Sequence, residues 1–273
     1  MTLPARLPLL LAFDLDGTLV HESQHELPPA TGAALAQLRA LGVKVALITG
    51  RDRIPQQVAQ AAQPDAVATH NGGTITLGTK VLQAAAFSPE ELREVVTHTL
   101  PGAKVVAHGA DGTLYVDPLD DLPAWMEGRA TLPLSEWRST VGIHKVGFYH
   151  SGVVQQAERL RSLHPHLVYT GAQAPYQNYL TVTPAGADKG AALVAVAQAL
   201  GIPLENTVVF GDTDNDVAMF ERAGYAVQSG DLALLRPYAD AQVSGPDALA
   251  EFLQRLAQQL GSPGGHSSPP QSP

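Results

Sequence analysis

The sequence predicts an α/β protein in which a parallel sheet flanked by helices is interrupted by a separate α+β module. Three observations carry this. Short apolar runs alternate with helical patterns over residues 7–69 and again from Lys189 onward, the order expected of β-α-β units. Between those stretches the pattern changes to hairpins and paired strand-like runs. Finally, three apolar runs on either side of the insertion end in polar clusters.

Residues 7–13 are almost wholly apolar and read as a strand buried on both faces. The run ends in Asp14-Leu15-Asp16-Gly17-Thr18, two carboxylates followed by a glycine that permits a sharp turn. Residues 31–41 read as a helix with Leu35, Leu38 and Leu41 on one side and Gly42 as its stop. A second strand over 43–48 ends in Thr49-Gly50-Arg51. A helix is expected from about Arg53, where Pro55 is tolerable only in the first turn. Residues 66–69 form a third strand before His70-Asn71-Gly72-Gly73.

From Thr74 a hairpin is expected across Gly78-Thr79, then a helix opened by Ser88-Pro89-Glu90-Glu91, a capping box with proline at its first position. Strands follow at 105–108 and 114–116, with Asp111-Gly112 as their turn; residues 118–143 are poorly patterned. A strand at 145–150, a helix at 153–163 and strands at 167–170 and 179–183 complete the insertion. Alternation then returns: a helix from Lys189 to Leu200 closed by Gly201, a strand at 207–210 and the cluster Gly211-Asp212-Thr213-Asp214-Asn215-Asp216. A helix at 217–223, a short strand at 225–227 and an amphipathic helix from Asp247, its expected cap, to Leu260 follow. The expected domains are therefore 1–77 and 184–260 for the sheet domain and 78–183 for the insertion, with a disordered Gly/Ser/Pro-rich tail at 261–273.

The chain has 273 residues, 45% hydrophobic, enough for one large α/β unit or two modest domains. Its net charge of −9 leaves no basic stripe for nucleic acid or an anionic membrane, but it leaves open a small anionic ligand in a local cationic pocket. With no cysteine, neither disulfides nor thiolate chemistry is available, which suits a cytoplasmic protein. No stretch reaches the roughly 20 apolar residues of a membrane span.

Strand ends in a parallel sheet converge on one edge, where ligands bind in α/β proteins. Asp14 and Asp16, the Thr49-Gly50-Arg51 cluster and the Asp212–Asp216 cluster are expected to meet there, with Lys189 beside them. Carboxylates so gathered repel by about 4 kcal/mol per pair at about 4 Å and an effective dielectric near 20. Lys189 and Arg51 alone cannot offset that repulsion and also admit an anion. A hard cation with oxygen ligands can, which points to Mg²⁺, and the absence of cysteine and of zinc-spaced histidines disfavours zinc. Magnesium, a carboxylate pair, a lysine and a threonine hydroxyl describe phosphoryl transfer.

Asp14-Leu15-Asp16-Gly17-Thr18-Leu19, Thr49-Gly50-Arg51, Lys189-Gly190 and Gly211-Asp212-Thr213-Asp214-Asn215-Asp216, in that order, resemble the four motifs of the haloacid-dehalogenase-like (HAD) hydrolases, over residues 7–260. The insertion resembles the type IIB cap of their Cof-like sugar-phosphatase branch. The resemblance implies a Rossmann-like core and a Mg²⁺-dependent phosphatase of small phosphorylated metabolites. It implies Asp14 as the nucleophile that forms an aspartyl-phosphate, and Asp16 as the acid and then the base. It implies Thr49 and Lys189 on the phosphoryl oxygens, and a metal held by Asp14, the Asp16 carbonyl and Asp212, with Asn215 and Asp216 ordering its waters. Related capped proteins include phosphomutases and phosphatases of mannosyl-phosphoglycerate or sucrose phosphate. A sensor that binds phosphate ligands without turnover is a reading from another class, and retention of both Asp14 and Asp16 speaks against it.

Around these motifs, Gly50 and Arg51 are expected at the substrate, with Arg51 either neutralising the site or bracing the sheet edge. Asn71 either contacts substrate at the domain junction or only makes an Asn-Gly turn. Asp214 is expected to be a solvated loop residue, His164 and His166 to face a helix end, and Trp125, Trp137 and Tyr149 to fill the insertion's core, with stacking on a sugar as the alternative for an aromatic there. Gln228-Ser229-Gly230-Asp231 departs from the Met-Gly-Asn-Ala type of loop common in Cof-like relatives. A monomer or weak homodimer is expected.

Overall fold

Residues Leu9, Leu11 and Phe13 point into one hydrophobic core and Leu10 and Ala12 into another, which places their strand mid-sheet between two helical layers. The computed structural model describes residues 3, 6–20, 26–245 and 247–262. The first half contains β1 (Leu10–Phe13), α1 (Pro29–Ala40), β2 (Lys44–Ile48), α2 (Gln56–Ala62), β3 (Ala66–Thr69), β4 (Thr74–Leu77) and β5 (Lys80–Ala84). The middle contains α3 (Pro89–Thr97), β6 (Lys104–Gly109), β7 (Leu114–Asp117), β8 (Thr131–Pro133), β9 (Ile143–Tyr149), α4 (Val153–Leu163), β10 (Val168–Gly171) and β11 (Tyr179–Thr183). The last part contains α5 (Lys189–Leu200), β12 (Thr207–Gly211), α6 (Val217–Phe220), β13 (Tyr225–Ser229), β14 (Ala241–Val243) and α7 (Ala248–Gly261).

The large sheet runs β14-β13-β12-β1-β2-β3-β4-β5, parallel from β14 to β3 and antiparallel through the β4–β5 hairpin. Helices α1 and α7 pack together on one face, and α5 and α6 on the other. Phe13 and Phe210 stack at 4.5 Å across the β1–β12 pair, fixing the two strands that carry the carboxylates. The second sheet runs β10-β11-β9-β6-β7-β8 and packs one face on α3 and α4 through Val105, Ala107, Val146, Phe148, Leu180 and Val182. Alternation therefore turns His108, Lys145, Gly147, Tyr149 and Thr181 to the opposite face.

Several elements depart from the sequence reading. Both strands of the 74–84 hairpin pair onto the large sheet, so we place the start of the insertion after Ala84 rather than at 78. The helix expected over 217–223 keeps α geometry for four residues only, and α2 starts at Gln56, after Pro55. The capping box forms as expected, with Ser88 Oγ accepting the Glu91 amide at 3.2 Å. Asp247 sits at the start of α7, but its side chain accepts no capping hydrogen bond. Trp125 is 45% exposed rather than core, while Trp137 and Tyr149 are partly buried. The tail expected at 261–273 lies outside the described residues from 263 onward; Gly261 ends α7. No helix among the described residues is long and apolar enough to cross a membrane.

Candidate active site

β1 delivers Asp14 to the edge of the sheet, where it is 4% exposed and its amide donates to the Phe210 carbonyl at 2.9 Å. The chain then folds back on itself: the Leu19 and Val20 amides both donate to the Leu15 carbonyl, and Gly17 donates to Val20. Gly17 has φ of +77°, and a Cβ there would stand 2.2 Å from Asp212 Oδ2. Only glycine lets the loop after β1 and the loop after β12 approach this closely. The Thr18 hydroxyl uses that proximity, donating to Asp212 Oδ1 at 3.0 Å.

Lys189 opens α5, whose N-terminus is held by Asp188 accepting the Ala191 amide at 2.7 Å. Its side chain is fully buried, and Nζ donates to Asp14 Oδ1 at 2.6 Å and to Asp216 Oδ1 at 2.7 Å. The other Asp216 oxygen accepts the amides of Asp212 and Thr213 at 2.8 and 3.0 Å. Oxygens of Asp14, Asp212 and Asp216 lie within 4.8 Å of one another.

Two buried carboxylates and a half-buried third beside one ammonium leave an excess of negative charge. Burial raises the Asp14 pKa to about 6; Lys189 pulls it down but is outweighed, and the Asp216 charge pushes further up. Asp212 rises to about 9, first from burial and then from the charges of Asp14 and Asp216. Burial disfavours the Lys189 ammonium, yet Asp14 and Asp216 more than compensate and raise its pKa. An all-oxygen donor set with one cation too few fits a hard divalent ion.

Asp16 does not join that cluster through a hydrogen bond. Arg51 grips it as a fork, Nε donating to Oδ2 at 2.8 Å and Nη2 to Oδ1, so Arg51 engages the motif itself. Thr49 is buried, and its hydroxyl accepts the Arg51 amide at 3.2 Å. Asn71 adopts the left-handed conformation of a turn residue, φ 57°, and its side-chain oxygen also accepts from Asn215 Nδ2 at 3.3 Å. A Cβ on Gly50 would stand 3.0 Å from that same oxygen, so the loops after β2, β3 and β12 meet here. A cavity of about 190 Å³ lies against Asn71, Asp188, Lys189, Asp214 and Asn215, roofed by Tyr169 and Thr170 of β10.

Other residues at the site were not legible as such. Asp214, expected in solvent, accepts the Gly171 amide at 2.6 Å and Gln173 Nε2 at 3.1 Å, tying the second sheet to the β12 loop. Lys145 of β9 reaches across and donates from Nζ to the Gly50 carbonyl at 2.8 Å. Asp52 pairs with Arg129, and His70 packs its ring against His144 and His108 at 5.0 and 5.9 Å. The alternation of β9, with Val146 and Phe148 turned to the helices, is the signal that could have placed Lys145 on the open face. His164 is buried at the C-terminal end of α4, as expected, its amide donating to the Leu160 carbonyl at 2.8 Å and its ring 3.6 Å from Glu94, while exposed His166 lies 2.9 Å from Glu91.

Comparison with known proteins gives consistent findings. The sequence profile of the haloacid dehalogenase-like hydrolases matches residues 11–231. The chain is 32% identical over 231 residues to the HMP-PP phosphatase of Cronobacter sakazakii, covering 80% of this chain and 83% of that protein. It is 30% identical over 243 residues to the HMP-PP phosphatase of Yersinia pestis, covering 81% and 83%. Among solved structures, the HAD subclass IIB sugar phosphatase BT4131 superposes with a TM-score of 0.76 at 22% identity, covering 90% of this chain and 98% of that one. TM0651 from Thermotoga maritima superposes with a TM-score of 0.73 at 21% identity, covering 90% and 97%.

Proposed function

The chain belongs to the haloacid dehalogenase-like hydrolases, and we propose that it is a Mg²⁺-dependent phosphatase of small phosphorylated metabolites, sugar phosphates first among them. The observation that carries this reading is the set of buried Asp14, Lys189 and Asp216 with half-buried Asp212 at one rim of the sheet. A sensor that only binds phosphate has no use for a buried carboxylate poised beside an ammonium at that point.

Asp14 is the nucleophile in this reading. Lys189 holds Oδ1 and leaves Oδ2 to attack phosphorus, so the ester P–O bond breaks as the Asp14–phosphorus bond forms. Asp16 donates its proton to the departing alkoxide, then takes one from the water that cleaves the aspartyl-phosphate and frees inorganic phosphate. For that, Asp16 must leave the Arg51 fork and take up a proton; an incoming phosphate-ester monoanion competes for the same guanidinium, would release Asp16 and can supply that proton. Thr49, Gly50 and Lys189 would line the phosphoryl oxygens, with Asn71 beside them. Asp14, the Asp16 carbonyl and Asp212 would hold the metal, with Asn215 and Asp216 behind them. Bound there, Mg²⁺ would neutralise the carboxylates and the developing charge on the phosphoryl group.

The named relatives favour a second reading of the substrate, HMP-PP itself, at the same site, with Asp14 attacking the terminal phosphorus and a phosphate rather than an alkoxide departing. Phosphate release is the direct test of both. Asp14→Asn should lower release from p-nitrophenyl phosphate by about a thousandfold or more while the far-ultraviolet circular dichroism stays that of the parent. A variant as fast as the parent would remove Asp14 from the role of nucleophile.

A further inference from the structure

The face of the second sheet that looks onto the strand ends carries a buried cation with no anion to match it. Arg51 is paired with Asp16, Arg129 with Asp52, and Lys189 with Asp14 and Asp216. Lys145 is 7% exposed, yet among the described residues its partner is a backbone carbonyl, that of Gly50, and no carboxylate pairs with it. An unpaired buried charge is costly, and an ionic ligand is one way to satisfy it. Two further polar atoms at the same junction make no hydrogen bond, His70 Nε2 and His108 Nδ1, on residues 6% and 5% exposed; His108 Nδ1 lies 3.8 Å from Asp52 Oδ2, whose charge Arg129 already matches. His70 sits just before Asn71 on the turn after β3, and His108 lies on β6 beside Lys145 in strand register.

The atoms could be thought to await a metal, because Asp52, His70 and His108 bring three donor atoms within 4.8 Å of one another. The surrounding charge argues otherwise. Arg129 already occupies the Asp52 oxygen, and the Lys145 ammonium is, after burial, the next cause holding both rings neutral, His70 near 2 and His108 near 4. A second cation would enter a field that is already positive, whereas an anion would be drawn into it and meet imidazole N–H donors.

We infer that the junction of the two sheets is a second anion subsite, in which Lys145 Nζ, His70 Nε2 and His108 Nδ1 hold a phosphate or carboxylate carried by the leaving group. This rests on the proposed phosphatase in one respect, that the phosphoryl group being transferred sits over Asp14. Lys145 meets the carbonyl one residue beyond Thr49, so a substrate spanning both sites has its second charge close to the reacting ester. Esters with uncharged leaving groups would use the first site alone.

The test compares kcat/KM for p-nitrophenyl phosphate, a sugar bisphosphate and phosphoglycolate in the parent, Lys145→Met and His108→Phe proteins. Each variant should lose about tenfold or more on an ester with a charged leaving group beyond whatever it loses on p-nitrophenyl phosphate. The bisphosphate and phosphoglycolate arms separate a phosphate from a carboxylate as the preferred group. Equal losses on all three esters, or none, would overturn the subsite, as would stoichiometric Zn²⁺ binding that His108→Phe removes. Should the parent release phosphate from no ester, the phosphatase reading fails, and calorimetry then decides the subsite alone. Pyrophosphate, which carries two charged groups, should bind the parent about tenfold more tightly than Lys145→Met, with orthophosphate affected less; equal binding would overturn it.

Discussion

Lys189 Nζ lies 2.6 Å from Asp14 Oδ1 in a fully buried contact between residues 175 positions apart. The same ammonium reaches Asp216 at 2.7 Å, so one cation is shared by carboxylates from two different strand ends. Removing one partner from such a group leaves the other charges buried and unmatched, a loss of about 3–5 kcal/mol. Lys189→Met should therefore melt on the order of 10 °C below the parent in metal-free buffer, and millimolar Mg²⁺ should recover part of that. Differential scanning calorimetry with and without Mg²⁺ checks both halves. A variant as stable as the parent without metal would mean that the ion pair is not what holds the strand ends together.

The raised carboxylates set a pH dependence. Asp14 has its pKa near 6 and Asp212 near 9, both above the ordinary 3.8. A carboxyl whose folded pKa is raised contributes stability that is present below the unfolded value and is lost as pH climbs through the folded one. His70 and His108 act at the other end: their pKa values are depressed below 6.5, so their contribution is lost as pH falls below that value. Above pH 7 the histidine contributions are constant and Asp212 governs. The melting temperature of the metal-free protein should fall between pH 7 and roughly 9.5, and Mg²⁺ should abolish the fall because it binds the deprotonated carboxylates. A metal-free melting curve that is flat over this range would contradict the excess of negative charge at the site.

Gly17 is the spacer between the first and last loops of the site. Its φ of +77° disfavours any side chain, and a Cβ there would stand 2.2 Å from Asp212 Oδ2. Gly17→Ala should push Asp212 aside, and the Mg²⁺ concentration for half-maximal activation should rise by about 10- to 100-fold, the range for disturbed metal-ligand surroundings. Titration of phosphate release against Mg²⁺ measures this. An unchanged midpoint would mean that Asp212 does not set metal affinity.

What the sequence could reveal follows from how each interaction is encoded. β1, β2 and β12 announce themselves as apolar runs, and their polar ends converge because a parallel sheet leaves no other arrangement. That is why Asp14, Asp212 and Asp216 could be grouped from sequence alone, with Lys189 joining them from the first turn of a helix. Contacts between the two sheets have no such rule. Asp214 and Gly171 meet only because a loop after β12 and the end of β10 lie opposite each other, and nothing local to either segment says so. β14 was missed because three residues, with Gln242 exposed between Ala241 and Val243, carry no pattern above the background of a loop. Trp125 looked like core by residue type, but the 3₁₀ turn that carries it buries Met126 and leaves the indole parallel to the His108 ring.

The tie between Asp214 and the second sheet makes closure itself measurable. Its Oδ2 accepts the Gly171 amide at 2.6 Å and the Gln173 side chain at 3.1 Å, and Gly171 ends β10 in a left-handed conformation, φ +79°, that brings its N–H to the loop. Hydrogen bonds to a charged acceptor contribute about 1.5–3 kcal/mol, so Asp214→Ala should speed hydrogen exchange at the Gly171 amide by roughly ten- to a hundredfold. The Leu180 amide, inside the β10–β11 ladder, should exchange at the parent rate, because the second sheet keeps its own core. Faster exchange at both positions would show the sheet unravelling rather than lifting from the strand ends. Parent-like exchange at both would show that Asp214 holds nothing closed, and Lys145 on Gly50 together with Arg129 on Asp52 would be left to carry the contact.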